Sequence, residues 1–437
     1  MTLTGSKLNI LMAVIITGVI IMEIIPRREL DEALKDYRWL LIYGRRKTGK
    51  TFYVRERADY DRYFIVTRNR TVIDIEKGEE YTLREFQKLL PLLIEREKIV
   101  IDEFHRLDEP VFSILHAMSG KGRIILITST MHYFRSLIRT PLLGLFELKE
   151  VGLVDPRDAV TFARRLGFKG KDMMEVACIA REPWLAQSVE RCREGVKVVE
   201  RVMARIKEEL RIYVPYLIGE VFTEEDVELT TRYSAILGAI ANGNVYSSEI
   251  SSYLFSRGLI SKDNPGLISQ YLRNLIQMGL IRAVPVEGRR RKAFQYRHVS
   301  PVTDFAYYLD EKYGFFEADI DENRVGELFS ERMPKYMEWF FEEWLVKASG
   351  LQPVKIAKPD LEVDVALRDH RKVKVVAEVK WKRKVGRREV RNVEEKLSRF
   401  DARRILIVPD RKVLEREPEG VEVWDSSILE CKNTIYD

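Results

Sequence analysis

Eight residues, Gly44-Arg45-Arg46-Lys47-Thr48-Gly49-Lys50-Thr51, constrain this chain more than any other stretch. They follow the apolar and aromatic run Trp39-Leu40-Leu41-Ile42-Tyr43 and spell glycine, four free positions, then Gly-Lys-Thr. The run before them reads as a strand, and a helix is expected from Lys50. Glycines let the backbone wrap phosphate oxygens, and the amides of the loop and of the helix N-terminus attract negative charge. Lys50 is expected to neutralise the terminal phosphates and the Thr51 hydroxyl to ligate Mg²⁺. A basic glycine turn would explain this loop taken alone, but it would not explain an acid pair about fifty residues later in the chain.

The run Ile99-Val100-Ile101 ends in Asp102-Glu103. Its β-branched residues place Asp102 at the carboxyl end of a strand, where it reaches Mg²⁺ through water. Glu103 is then available to polarise an attacking water. Strands are expected over 63–67, 98–101, 123–128 and 145–148, and helices over 82–94, 111–118 and 132–138. That alternation predicts an α/β fold, a parallel sheet covered by helices, with the ligand at the strands' carboxyl ends. The strand over 123–128 runs into Thr128-Ser129-Thr130, hydroxyls that can sense a γ-phosphate; Ser129 is taken as the ligand. Arg135 and Arg139 come next as candidate fingers towards a neighbouring subunit of a homo-oligomer, though two surface arginines would look the same.

A chain of 437 residues holds two to four domains, and 32% charged with 46% hydrophobic residues is ordinary for a globular protein. The formal charge of +6 permits a nucleic-acid partner without requiring one. Cys178, Cys192 and Cys431 lie far apart without metal-ligand spacing, so reduced thiols and a cytoplasmic location are expected. The apolar segment from Leu8 to Met22 is marginal for a bilayer core of about 20 helical residues. It reads as a membrane anchor, a translated leader ahead of a start at Met22, or a buried helix; all three stay open.

Residues 153–228 turn wholly helical, opened by Asp155-Pro156, and read as a lid beside the nucleotide sheet. Within it Arg181-Glu182-Pro183 is placed to contact nucleotide, or is a bare surface loop. Over 229–300 three helices precede a hairpin whose tip is Gly288-Arg289-Arg290-Arg291-Lys292, the pattern of a winged helix. DNA contact is expected through Arg289, Arg290, Arg291 and Lys292 gripping phosphate. Protein contact is the alternative use of such a module.

A linker is expected over 301–324, then a long helix over 325–348, a strand over 354–356 and, in all, an α-β-β-β-α-β order to residue 437. Alternation puts Glu378 and Lys380 on one face of a strand, with Asp364 on the neighbouring strand. Two carboxylates can hold Mg²⁺, and a lysine beside them can orient a metal-bound water for phosphodiester attack. Glu342, on the long helix, is the additional candidate acid. A surface ion pair is the plain alternative for Glu378 and Lys380. The basic run Lys380, Lys382, Arg383, Lys384, Arg387, Arg388 suits a phosphate backbone.

Taken together, Gly44–Thr51, Ile99–Glu103, the helical lid, the winged-helix pattern and Asp364 with Glu378-Val379-Lys380-Trp381 resemble archaeal ATPases of the AAA+/STAND lineage that carry a C-terminal nuclease-like domain. The tail resembles the PD-(D/E)xK nuclease superfamily. The resemblance begins at about Glu23 and implies ATP as the nucleotide, ATP hydrolysis, and a link to DNA. It assigns Lys50 and Glu103 to ATP hydrolysis, and Asp364, Glu378 and Lys380 to a second, Mg²⁺-dependent cleavage site. One departure stands out: Pro141-Leu142-Leu143-Gly144 is followed by Leu145, where members often carry arginine. The expected organisation is an apolar segment 1–22, ATPase core 23–152, lid 153–228, winged helix 229–300, linker 301–324 and nuclease-like domain 325–437.

Overall fold

The computed structural model describes residues 23–128, 142, 144–219, 227–287, 293–358 and 361–427. The first part is built from α1 (Arg28–Lys35), β1 (Trp39–Tyr43), α2 (Lys50–Arg57), β2 (Arg62–Val66), β3 (Thr71–Asp74), β4 (Glu79–Thr82), α3 (Leu83–Arg96), β5 (Lys98–Asp102), α4 (Glu109–Ala117), β6 (Arg123–Thr128) and β7 (Glu147–Glu150). Its seven strands lie in the order β4-β3-β2-β5-β6-β1-β7. The five strands from β2 to β7 pair parallel. β1, β5 and β6 are buried along nearly their whole length, which explains their unbroken apolar runs. Trp39 and Leu41 enter one core while Leu40 and Ile42 enter another on the opposite face, as the two-residue period of a strand requires.

β3 and β4 add an antiparallel meander that the sequence did not announce. β4 is a mostly exposed edge strand reading Glu-Glu-Tyr-Thr, so it lacks the apolar alternation that reveals a strand. The sheet is therefore mixed, with a parallel core.

The chain continues through five helices of the segment expected as a lid: α5 (Pro156–Arg165), α6 (Gly170–Ala180), α7 (Ala186–Arg191), α8 (Val198–Arg205) and α9 (Lys207–Gly219). Three more, α10 (Val227–Ala241), α11 (Ser247–Ser256) and α12 (Pro265–Gln277), precede the antiparallel hairpin of β8 (Ile281–Glu287) and β9 (Ala293–His298). The expected linker over 301–324 is corrected: it contains α13 (Pro301–Tyr313), capped by Ser300 and buried through Val302, Phe305, Ala306 and Leu309. α14 (Glu322–Ser349) then runs for 28 residues.

The tail comprises β10 (Gln352–Pro353), β11 (Lys355–Lys358), β12 (Leu361–Glu362), β13 (Val365–Asp369), β14 (Lys372–Val379), α15 (Arg387–Ser398), β15 (Arg403–Ile407) and β16 (Glu422–Trp424). Its five-stranded sheet runs β10-β13-β14-β15-β16. Of the expected strand at 354–356, Val354 still donates to Ala366 of that sheet at 2.9 Å, but Lys355 and Ile356 belong to another strand. It is β11, which pairs parallel with β8 of the hairpin, Lys355 opposite Val286.

That exchange welds the two expected domains together. One core runs through the lid (Met173, Val202), the three-helix unit (Ile236, Leu272) and the tail (Phe340, Trp424). α8 and α14 approach so closely that a Cβ on Gly326 would sit 2.5 Å from the Glu200 carbonyl oxygen. Trp381 Nε1, one residue beyond Lys380, donates to Glu175 of α6 at 2.8 Å. The lid is thus packed with the tail rather than standing as a separate flap. Among the described residues no helix is long and apolar enough to cross a membrane, and the segment 1–22 lies outside them. Cys178 and Cys192 are buried and unpaired with each other.

Candidate active site: the phosphate loop and the tail acids

The loop after β1 has the backbone that phosphate binding requires. Gly44 has φ +145°, and a Cβ there would lie 2.1 Å from the Val151 carbonyl oxygen of the neighbouring segment. Gly49, at φ +80°, caps α2 and lays no side chain over the helix's first amides, so these remain open to an anion. Lys47 also adopts a left-handed conformation, at φ +63°. Thr48 is fully buried, its hydroxyl donating to the Arg45 carbonyl at 2.8 Å and its own carbonyl accepting from Arg27.

Lys50 is folded back on the loop, Nζ donating to the carbonyl oxygens of Gly44 at 2.9 Å and Arg45 at 2.7 Å. Burial pulls its pKa down to about 7, against the opposing pull of Asp102 and Glu103. Carbonyl oxygens here hold the ammonium in the position that phosphate oxygens would take.

Sheet order explains how the acids reach the loop. β6 lies between β1 and β5, with Tyr43 opposite Thr128 and Asp102 opposite Ile127. The Thr51 hydroxyl donates to Asp102 Oδ2 at 2.6 Å, and the Tyr63 hydroxyl donates to the same oxygen at 2.8 Å. Oδ1 accepts from the Glu103 amide at 2.8 Å. Burial raises the Asp102 pKa, opposed by the bonds from Thr51 and Tyr63. Glu103 itself lines the cavity and sits at φ +56°, a conformation that costs a non-glycine residue free energy. His105 stands 3.6 Å from Glu103 and 3.0 Å from the Thr128 hydroxyl, and burial drives its pKa down to about 4. Tyr63 and His105 carry no motif, and sequence reasoning passed over both. Ser129, Arg135 and Arg139 lie outside the described residues; Thr128 is the hydroxyl seen at this strand end.

Lys47, Gly49, Lys50, Thr51, Asp102 and Glu103 line a cavity of about 900 Å³, whose far wall is α9. Lys47 Nζ lies 4.4 Å from the Tyr213 ring centre, a cation–π contact between loop and lid. A second recess of about 310 Å³ opens on the other side of the loop, walled by Ile24, Ile25, Phe52, Pro183 and Trp184.

Arg45 does not face either space as a phosphate ligand. It is 7% exposed and pairs with Glu182, 2% exposed, at 2.5 Å; the Trp184 indole donates to the same carboxylate oxygen at 3.1 Å. The segment Arg181-Glu182-Pro183 is therefore a buried contact against the phosphate loop and not a surface loop.

In the tail, Glu378, Lys380 and Asp364 come together. Lys380 Nζ lies 2.7 Å from Glu378 and 3.5 Å from Asp364, and Asp364 also accepts from the Val379 amide at 2.8 Å. Burial works against the Lys380 charge, but Asp364 and Glu378 hold its pKa above the usual lysine value. Two findings alter the expected site. Glu378 is fully buried and its second oxygen is taken by Lys396 of α15 at 2.8 Å, so both oxygens already bind ammonium groups. Glu342 is turned away: it pairs with Arg297, and with Arg282 at 3.6 Å, on the hairpin. The acid of α14 that faces Asp364 and Glu378 is Glu338, one turn earlier. Burial and then the Asp364 charge raise its pKa to about 7. Among the described residues no three acids, histidines or cysteines form a metal-holding group. The tail as arranged does not fit the expected metal, and no metal-assisted cleavage step is derived for it. Arg289, Arg290, Arg291 and Lys292 lie outside the described residues.

A sheet with a parallel core, a glycine-rich loop leading into a helix, and an acid pair two strands away make an α/β fold of the P-loop type. No family model matches the chain, and no curated protein matches it. Among solved structures it is similar to the Walker-type ATPase of Pyrococcus abyssi, at 20% identity over 64% of this chain and 93% of that one, TM-score 0.41. It is also similar to the ORC1 protein of Aeropyrum pernix solved in complex with DNA, at 15% identity over 66% and 92%, TM-score 0.29. A third is the RuvB Holliday junction branch migration motor of Thermotoga maritima, at 14% identity over 67% and 91%, TM-score 0.31.

Proposed function

We propose that this chain is a Mg²⁺-dependent ATPase whose turnover works as a switch on a nucleic-acid-binding tail. The observation that carries the reading is the Thr51–Asp102 contact of 2.6 Å on the floor of the 900 Å³ cavity, with Glu103 beside it. Hydroxyl and carboxylate are the donor set that holds Mg²⁺ beside a nucleotide, and the ion when bound draws charge from the phosphate oxygens. Lys50 exchanges its carbonyl partners for phosphate oxygens. Glu103 accepts a proton from water as the water oxygen attacks the γ-phosphorus and the bond to the bridging oxygen breaks, releasing ADP. His105 and Thr128 hold Glu103 from behind. The apolar recess of Ile24, Phe52 and Trp184 takes the base.

The test is a pair of variants. Glu103→Gln is expected to keep ATP binding and lose turnover, and Lys50→Ala to lose binding. Hydrolysis at wild-type rate in Glu103→Gln would remove Glu103 from this role.

The three helices and hairpin read as a winged helix, and with the exposed Arg383, Arg387 and Arg388 they favour DNA as the partner. Capture of both Glu378 oxygens by Lys380 and Lys396 favours binding without cutting. The full chain is expected to retain DNA and leave it intact with Mg²⁺ or Mn²⁺. Cleavage that disappears in Asp364→Ala would restore the nuclease reading.

A further inference from the structure

A cavity of about 480 Å³, separate from the nucleotide cavity, lies between the nucleotide sheet, the lid, the hairpin and α14. The nucleotide sheet contributes Arg45 and Lys149, the lid Arg181, the hairpin Arg282 and Arg297, and α14 Glu343 and Lys347. Most of this charge is settled among neighbours. Arg45 pairs with Glu182, Arg297 with Glu342, and Arg282 with Glu343 at 2.7 Å. The lining carboxylates Glu29 and Asp155 have their own arginines, Arg27 at 2.9 Å and Arg157 at 2.7 Å. That leaves Lys149 and Lys347 with Glu150, and Arg181 sharing Glu343 with Arg282.

Arg181 is the telling residue. It is 6% exposed, and its Nε donates to the Val154 carbonyl at 2.8 Å. Its terminal nitrogens make no hydrogen bond among the described residues, and Glu343 stands 3.8 Å away. They are not sealed into packed protein but open on the cavity. A buried guanidinium with its fork unfilled is costly unless an anion completes it. The field is strong enough that Glu343, despite a burial that works against its charge, is held at a pKa of about 2 by Arg282, Arg181 and Lys347.

We propose that this junction cavity binds a phosphate group, carried by free phosphate or by a mononucleotide, through the Arg181 fork with Lys149 and Lys347. The planar fork matches a tetrahedral oxyanion in two parallel hydrogen bonds. The volume falls within the range of roughly 300–1,000 Å³ usual for ligand sites. Ile276, Ile281 and Phe340 supply an apolar wall that a base can lie against. Because sheet, lid, hairpin and tail each supply part of the lining, an occupant holds them in one arrangement and stabilises it by mass action. This site shares only Arg45 with the phosphate loop and lies apart from the nucleotide cavity, so its failure would leave the ATPase reading standing.

The test uses the full chain carrying Lys50→Ala, which disables the loop. Inorganic phosphate and AMP are titrated at constant ionic strength, followed by calorimetry and thermal shift. One saturable site is expected. Arg181→Gln should weaken it about tenfold or more, the effect of losing charge-assisted hydrogen bonds. The pair Lys149→Glu with Lys347→Glu should do the same; Lys347 is exposed and Lys149 half-buried, so these variants decide the matter if Arg181→Gln fails to fold. Tighter AMP assigns the phosphate to a mononucleotide and tighter phosphate to the free ion, and either supports the site. No saturable binding of either probe, or binding untouched by the lysine pair, overturns it.

Discussion

Replacing Glu182 by alanine would leave Arg45 charged, 7% exposed and without its carboxylate, and would strip the Trp184 indole of its acceptor. Removing one member of a buried ion pair costs about 3–5 kcal/mol, chiefly because the surviving charge stays desolvated. The orphaned indole adds about 1 kcal/mol. Against a total stability of roughly 5–15 kcal/mol for a domain, that loss is severe. Glu182→Ala and Arg45→Met are each expected to lower the unfolding midpoint strongly, in thermal and urea melts. The double variant Arg45→Met, Glu182→Leu should recover much of the loss, since a matched apolar pair leaves no charge desolvated without a partner. Arg45→Met should also weaken ATP less than Lys50→Ala does, because the Arg45 guanidinium is directed to the lid. Single losses below about 1 kcal/mol, or effects that simply add in the double variant, would refute a buried, coupled pair.

The remaining expectations concern protons and packing. Lys50, with its pKa near 7 in the free protein, is largely neutral at pH 8.5. Binding of polyanionic ATP should restore its charge and take up a proton; calorimetry in buffers of different ionisation heat measures that uptake, and none is expected near pH 5.5. Glu338 has its pKa raised from 4.5 to about 7, so the folded state holds a proton that the unfolded state has lost between those values. Stability due to this group therefore falls as pH rises through that window, and Glu338→Gln should raise the melting temperature more at pH 8 than at pH 4.5. Gly44→Ala places a Cβ 2.1 Å from the Val151 oxygen at φ +145°, so it should abolish nucleotide binding and depress the melting temperature, as a nucleotide titration and a melt would show.

The phosphate loop and the Asp102-Glu103 pair were legible because each is a local pattern in which spacing along the chain fixes position in space. The meeting of Asp364, Glu378 and Lys380 was legible for a related reason: strand alternation decides the face, and neighbouring strands do the rest. Lys396 was not, since it arrives from α15 and no spacing ties it to Glu378. Glu342, expected as the additional acid, does lie on the helix beside the tail sheet, but the rotation of α14 gives that place to Glu338 and hands Glu342 to Arg297. Periodicity lists both residues on related faces, four positions apart, and only packing selects one.

The linker, and the partner expected for the strand at 354–356, differ for another reason. Local pattern shows neither what a segment packs on nor which strand it pairs with: α13 buries an apolar face and β11 pairs with the hairpin. By itself the sequence determined the local chemistry on which the proposed nucleotide site rests: the glycines, lysine, threonine and acid pair suit a phosphate by residue type and short-range geometry. Tertiary structure decided what that site is joined to. It turned Arg45 into the lid, closed Glu378 between two lysines, and gathered Arg181, Lys149 and Lys347 around one cavity. Charges distant in sequence acquire their meaning from burial and partners, and these exist only once the chain has packed.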